Sequence, residues 1–264
     1  METDLQLAQR AAVVGAAVAL PHFAALADLP RELKADGTVV TAADRAVESA
    51  IREVLLAARP HDAILGEEQG QTGQDTHRRW IIDPIDGTAL FVRGDDRWLI
   101  LIALEEDGEI VTGVAAHPAQ GSIWWASRGG GAFEGRIVGG RVVAETRIGV
   151  AAQGGTPAES RLGVVPEDWG GDLVAPLTAL TPARPWAVHP ALLVARGELD
   201  LAVQTGGQIW DFAATSLIVT EAGGAYSSVG GSPRPGPGAS VYARDDALRL
   251  AALRLLAGAD VTAG

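Results

Sequence analysis

Trp80-Ile81-Ile82-Asp83-Pro84-Ile85-Asp86-Gly87-Thr88 is the stretch from which the rest of this chain is read. An apolar run ends at Asp83, a proline stiffens the backbone, and Asp86 follows just before a Gly-Thr step suited to opening a helix. Two carboxylates this close repel strongly unless a cation sits between them. Hard oxygen donors on a rigid turn suit Mg²⁺ or Mn²⁺. The free N–H groups of Gly87, Thr88 and the following turn attract an anion beside such a metal. A plain Asp-Gly turn after a core strand shares this local sequence, so the segment alone leaves both readings open.

Three further blocks accompany it. Upstream stand Lys34-Ala35-Asp36-Gly37-Thr38-Val39-Val40-Thr41-Ala42-Ala43-Asp44 and Ala63-Ile64-Leu65-Gly66-Glu67-Glu68. Downstream, Trp210-Asp211-Phe212-Ala213-Ala214 runs into Thr220-Glu221-Ala222-Gly223-Gly224. In this order the blocks resemble the inositol monophosphatase superfamily of Mg²⁺-dependent, lithium-sensitive phosphomonoesterases, over residues 30 to 230. The stretch from Val40 to Phe133 is most similar to the histidinol-phosphatase branch, through Ala42-Ala43-Asp44-Arg45-Ala46-Val47-Glu48-Ser49 and Phe91-Val92-Arg93-Gly94. The resemblance implies a layered helix–sheet–helix–sheet–helix (αβαβα) sugar-phosphatase fold, a homodimer, and a small-molecule phosphate ester as substrate.

Composition bounds the alternatives. A chain of 264 residues, 47% hydrophobic and 20% charged, reads as an ordinary globular protein able to bury a sizeable core. Its net charge of -12 argues against a nucleic acid polymer as partner. An acidic protein accepts a phosphate substrate only where cations screen the site. Cysteine is absent, which rules out a thiolate nucleophile, a disulfide or a Cys-based zinc site. Residues 11 to 20 are apolar or small, but Met1-Glu2-Thr3-Asp4 is acidic where a signal peptide is basic. The run is short for a bilayer span and meets Pro21, so we expect an N-terminal core helix in a cytoplasmic protein without membrane association.

Periodicity predicts helices over 4–27, 44–58, 190–195, 212–222 and 245–257, with Thr41 as a cap. Strands are expected at 63–65, 79–82, 99–104, 110–116, 122–126, 161–165 and 199–203, with Glu106-Asp107-Gly108 as a hairpin turn. Gly/Pro-rich stretches at 152–157 and 229–238 read as loops. The order suggests an α+β half, 1–137, carrying the metal motifs. An α/β half, 138–264, carries Asp211 and the substrate pocket, the two forming one structural unit.

By resemblance, Glu67, Asp83, the Ile85 carbonyl, Asp86 and Asp211 ligate two or three Mg²⁺ ions, with Mn²⁺ as a substitute. A metal pair polarises a phosphoryl group and brings the pKa of an attacking water from ~15.7 toward neutrality. Asp44 and Thr88 orient and deprotonate that water, assisted by Glu67. Asp86, Gly87 and Thr88 hold the phosphate. Lys34, the one lysine among 21 basic residues, and Glu68 are placed behind the ligands. Plainer roles stand beside these: a helix-start carboxylate for Asp44, a helix cap for Asp211, a solvated side chain for Glu68.

The chain departs from the family pattern in three places. Ala89-Leu90-Phe91 follows the Asp-Gly-Thr step where a polar residue, Asn and Phe are usual, and altered packing is expected there. Gln204 occupies the place of a hydroxyl-binding glutamate in inositol-type members. Ala187 falls where histidinol-phosphatase-like members carry an Asp facing the substrate amine. Trp186, Trp169 and His189 are candidates to line a flat apolar pocket, or are simply structural. A cyclitol, sugar or nucleoside phosphate is the expected substrate. Histidinol phosphate is the alternative, and an inactive regulatory paralogue the alternative of another class.

Overall fold

The computed structural model describes residues 2–26, 31–33, 39–73, 77–152, 154–166 and 171–259. Lys34 and Trp169 lie outside them. The chain begins with α1 (Asp4–Ala24), a short β1–β2 pair (Arg31–Leu33, Val39–Thr41) and α2 (Ala42–Ala58). An eight-stranded sheet follows, from β3 (Ala63–Gly66), β4 (Gly70–Thr72), β5 (Arg78–Asp86), β6 (Leu99–Glu106), β7 (Glu109–His117), β8 (Ser122–Ser127), β9 (Gly131–Val138) and β10 (Arg141–Ile148). The one-turn α3 (Thr88–Phe91) interrupts it after β5. The second part contains β11 (Leu162–Val165), α4 (Gly171–Thr178), α5 (Pro190–Ala195), β12 (Leu201–Gln204), α6 (Ile209–Glu221), β13 (Ala225–Ser228), β14 (Ser240–Ala243) and α7 (Asp246–Ala259).

Sheet order is β10-β9-β8-β7-β6-β5-β3-β4 in the large sheet and β11-β12-β14-β13 in the small one. Pairing is antiparallel except at β3–β5 and β11–β12. Helices α1 and α2 cover one face of the large sheet, and α5 and α6 fill the space between the sheets. On the outer face of the small sheet lies α7, with α4 packed against it. Three apolar clusters fill the spaces between layers, one of them lying on both sides of α5 and α6. This is the expected αβαβα architecture.

The strand 141–148, placed by the sequence in the second half, is instead the edge of the large sheet. The crossover between sheets therefore falls between Ile148 and Leu162. As the expected helix over 4–27 allows, α1 carries Pro21 within its last turn, where a missing N–H costs one bond near a fraying end. Length and composition alone would let α1 cross a bilayer. Its stripe of Leu7, Ala8, Ala11, Ala12, Ala16 and Ala19 packs instead on α2 and the large sheet.

Helix α6 is apolar around its circumference because it lies between two sheets: every residue from Phe212 to Val219 is buried. It reaches the large sheet at Gly113 of β7, where an added Cβ would sit 2.8 Å from the Ala214 carbonyl oxygen and 3.1 Å from its Cα. Both atoms are backbone and cannot rotate away. Gly113→Ala should therefore push α6 off the sheet and cost about 1–3 kcal/mol. Chemical denaturation checks the cost, and an unchanged midpoint would show that this close approach is not required.

Candidate active site

In a regular strand Asp83 and Asp86, three apart, would face opposite sides of the sheet. They do not, because β5 is bulged: Asp83 stands opposite Leu101 and Asp86 opposite Leu99, so three steps on β5 match two on β6. Pro84, which has no N–H to give to the ladder, sits inside the bulge. The extra residue brings both carboxylates to one face. Asp83 Oδ1 accepts the Ile85 N–H at 3.0 Å, fixing the turn from within. Gly87 then turns the chain at φ 87°, a left-handed conformation suited to glycine, and Thr88 opens α3.

Asp211 arrives from the other layer, at the third position of α6. Its carboxylate also accepts the Gln208 N–H, completing a capping box. The helix-cap role and proximity to the other carboxylates therefore coexist. Gly207 has no room for a side chain, since a Cβ would sit 2.9 Å from Asp211 Oδ2. Oxygens of Asp83, Asp86 and Asp211 all lie within 4.8 Å of one another. Glu67 hydrogen-bonds Asp83. Burial, then repulsion by Glu67, Asp86 and Asp211, holds the Asp83 carboxyl well above its ordinary range. Asp86 is raised in the same way, by burial and then by Asp211 and Glu67.

Glu67 is placed by a device the sequence reading did not single out. Glu48, fully buried on α2, accepts Arg52 Nε at 2.8 Å, the Glu68 N–H at 2.7 Å and the Gln69 N–H at 3.1 Å. Arg52 continues to Thr72 Oγ1 at 2.8 Å and the Gly70 carbonyl at 2.5 Å. The Glu67–Gln69 turn is thus pinned to α2. Gly66 makes room for it, because a Cβ there would lie 2.2 Å from Glu48 Oε1. The available signal was an i,i+4 Glu-Arg pair inside the apolar stripe of Val47, Ile51 and Leu55. Glu68 contributes its backbone N–H to this network, and its side chain is half-buried.

Asp44 is fully buried at the start of α2, with Oδ2 accepting from the Thr41 backbone and hydroxyl at 2.8 and 2.6 Å. Its other oxygen lies 3.2 Å from Thr88 Oγ1, which is also 3.0 Å from the Ile85 carbonyl. A hydroxyl has one hydrogen, so Thr88 can donate to only one of these acceptors at a time. Leu90, the unusual residue, is half-buried, and its backbone N–H and carbonyl are engaged by Gly87 and by Arg93 and Asp95.

The remaining predicted residues lie in the second half of the chain. Trp186 is buried, donates Nε1 to the Val164 carbonyl at 3.0 Å, and carries the Arg97 guanidinium 4.6 Å from its ring centroid. Little of the ring is left for a stacked substrate. Exposed Ala187 offers its carbonyl to Gln120 Nε2 at 3.1 Å. His189 is buried and caps α5 by accepting the Ala191 N–H on Nδ1 at 3.3 Å. Burial, with His117 nearby, pulls its pKa down to about 4, so it is neutral. Gln204 is buried at the end of β12, and its Oε1 has no hydrogen-bond partner among the described residues. His117, not anticipated from sequence, donates Nε2–H to the Asp96 carbonyl at 2.6 Å.

Comparison with known proteins assigns these layers and this carboxylate cluster to a family of phosphatases. The model described as the inositol monophosphatase family matches residues 1–257, and the chain belongs to that family. It is 40% identical to a histidinol-phosphatase of Mycobacterium tuberculosis, over 90% of this chain and 92% of that protein. A Streptomyces griseus protein named glucose-1-phosphate thymidylyltransferase is 36% identical, over 92% of this chain and 93% of its own length. The solved inositol monophosphatase of Zymomonas mobilis superposes with a TM-score of 0.76 at 28% identity, covering 96% of this chain and 97% of the other. The protein is a phosphoric monoester hydrolase of a generally metal-dependent family.

Raised carboxyl pKa values cost the metal-free fold nothing below the ordinary value of 3.8 and progressively more as pH rises through the folded-state value. Asp86→Asn removes one of the repelling charges. In chelator at pH 7.5 the variant should melt higher than wild type, by about 2–4 °C for each kcal/mol of repulsion relieved. The gain should vanish near pH 4. An equal or lower melting temperature at pH 7.5 would show that the cluster is not repulsive.

Proposed function

We propose that the protein hydrolyses a small-molecule phosphate monoester with Mg²⁺, using Glu67, Asp83, the Ile85 carbonyl, Asp86 and Asp211 to hold two or three ions. The observation that carries this reading is the approach of three carboxylates within 4.8 Å, with Glu67 bonded to Asp83. A donor set of oxygens alone, without His or Cys, fits a hard divalent cation, Mn²⁺ included. When bound, the ions neutralise carboxylate and phosphoryl charge and lower the pKa of the attacking water. The chain's own groups complete the reaction. The Gly87 and Thr88 N–H groups hold the phosphate, and Asp86 would meet it only through a bound cation. With the Ile85 carbonyl engaged, the Thr88 hydroxyl turns its hydrogen to Asp44 and accepts from the water, orienting it and relaying its proton, while Glu67 assists. The water oxygen bonds phosphorus as its proton passes to Asp44, the ester P–O bond breaks, and the departing alkoxide takes up a proton from solvent water.

Turnover of a generic phosphate ester should require Mg²⁺ in the millimolar range, the order expected of sites that keep several waters. Full turnover after exhaustive chelation would overturn the reading. Thr88→Ala should lower kcat by a factor on the order of 10²–10⁴. An effect confined to KM would reassign Thr88 to phosphate binding.

For the leaving group we favour a neutral polyol such as a cyclitol, sugar or nucleoside phosphate. Gln204 and Ala187 supply no charge, and Gln204 Oε1 awaits a donor such as a hydroxyl. The Streptomyces griseus relative's name also includes a sugar phosphate. One observation favours histidinol phosphate instead: Gln120 Nε2 links the Ala187 carbonyl to Asp96 Oδ2 at 3.2 Å, placing an exposed carboxylate beside the position that lacks one. Comparing kcat/KM for histidinol, inositol, sugar and nucleoside phosphates under one metal condition decides between them. We expect histidinol phosphate to be the poor substrate and Ala187→Asp to improve it selectively. A tenfold preference for it in the wild type would assign the amine to Asp96. A homodimer in the cytoplasm completes the proposal.

A further inference from the structure

The segment Asp95-Asp96-Arg97, between the phosphate turn and β6, touches both sides of the site. Its backbone abuts the turn: the Arg97 carbonyl oxygen lies 3.6 Å from where a Gly87 Cβ would be. Its side chain crosses to the segment before α5. There the guanidinium lies 4.6 Å from the Trp186 ring centroid and donates Nη1 to the Trp186 carbonyl at 3.0 Å. Asp95 aligns it through Nε–Oδ1 at 2.9 Å and Nη2–Oδ2 at 2.8 Å. The neighbouring Asp96 adds two ties, its carboxylate to Gln120 and its carbonyl to His117.

We propose that Arg97 is a positioning residue for the leaving-group side of the site, latching the Trp186–Ala187 segment to the turn that carries Gly87. The proposal rests on the reading of Gly87 and Thr88 as the phosphate turn. Trp186 is the anchor of this latch: its ring is buried, its Nε1 is bonded to β11 through Val164, and Arg97 covers one face. Ala187, the exposed next residue, is the part carried into position. The latch uses the fork, the planar face and the charge of the guanidinium together, and a lysine ammonium reproduces only the charge. Loosening it displaces the groups that meet the leaving alcohol while leaving the grip on phosphate intact. Its kinetic signature is accordingly a rise in KM for a large leaving group without a matching loss in kcat.

The test compares wild type, Arg97→Lys and Asp95→Asn. Readouts are kcat and KM for inositol and sugar phosphates and for p-nitrophenyl phosphate, inhibition by inorganic phosphate, and amide hydrogen exchange of residues 183–189. Arg97→Lys should raise KM for its best polyol phosphate about tenfold while changing kcat and phosphate inhibition less than about twofold. Exchange in 183–189 should quicken, with Asp95→Asn moving in the same direction by less. Unchanged exchange in an active enzyme overturns the latch. Faster exchange with unchanged KM overturns its role in specificity. A parallel loss of phosphate inhibition makes Arg97 a phosphate ligand instead. A wild type that turns over no ester in Mg²⁺ defeats the phosphatase reading itself, an outcome separate from failure of the latch.

Discussion

Like charges forced close together around one buried carboxylate are the constraint around which this molecule is arranged. Asp83, Asp86 and Asp211 would separate if their backbone were free to move, since each repels the others in a medium that screens poorly. Their approach persists because each belongs to an element fixed by something else. Asp83 and Asp86 ride on β5, hydrogen-bonded on both sides by β3 and β6. Asp211 opens α6, whose next eight residues are buried between the two sheets. Moving either carboxylate would mean unpairing an inner strand or unpacking the central helix. Apolar burial elsewhere thus holds a polar site in an arrangement it would not choose alone.

Charges around this cluster are handled oppositely. Glu48 is buried as deeply as Asp83, yet its oxygens meet Arg52 and two backbone N–H groups. Asp44 is likewise satisfied by Thr41 and Thr88. Removing one member of such a network strands the other, which is why these groups brace the site rather than strain it. The carboxylates proposed to hold cations and those that brace the scaffold are therefore separate sets on neighbouring elements.

Much of this was readable in the sequence because the local patterns are strong. The stripe of Val47, Ile51 and Leu55 and the cap at Thr41 gave α2, and Asp107-Gly108 gave a hairpin with both residues at positive φ. Elements whose logic is not local escaped. Strand β5 was expected to end at Ile82, because a proline and two acids look like a turn; only pairing with β6 shows that they form a bulge. Strand β10 is a mostly exposed edge and offers no apolar alternation to detect. Among site residues, the carboxylates sit in recognisable blocks, whereas Arg97, Gln120 and His117 act across sequence distances that no motif spans.

Specificity and chemistry are consequently separable in this fold. The groups proposed to hold cations, phosphate and water come from β5, the Gly87 turn, α2 and the start of α6, all locked into core layers. Groups that would meet the leaving alcohol come from the connection before α5 and the end of β12, reached by side chains such as Arg97 and Gln120. Changing Ala187 or the Arg97 tie alters no buried carboxylate and no strand pairing. Gln204 differs, because its Oε1 is buried with no hydrogen-bond partner among the described residues, and a buried acceptor left unpaired costs about 1–3 kcal/mol. On the proposed reading, a substrate hydroxyl that reaches it would gain from that, and an alcohol lacking a donor there would not. Discrimination among phosphate esters would then rest, on the same reading, on what the leaving group offers Gln204 and the Ala187 segment, while the phosphoryl end is common to all of them.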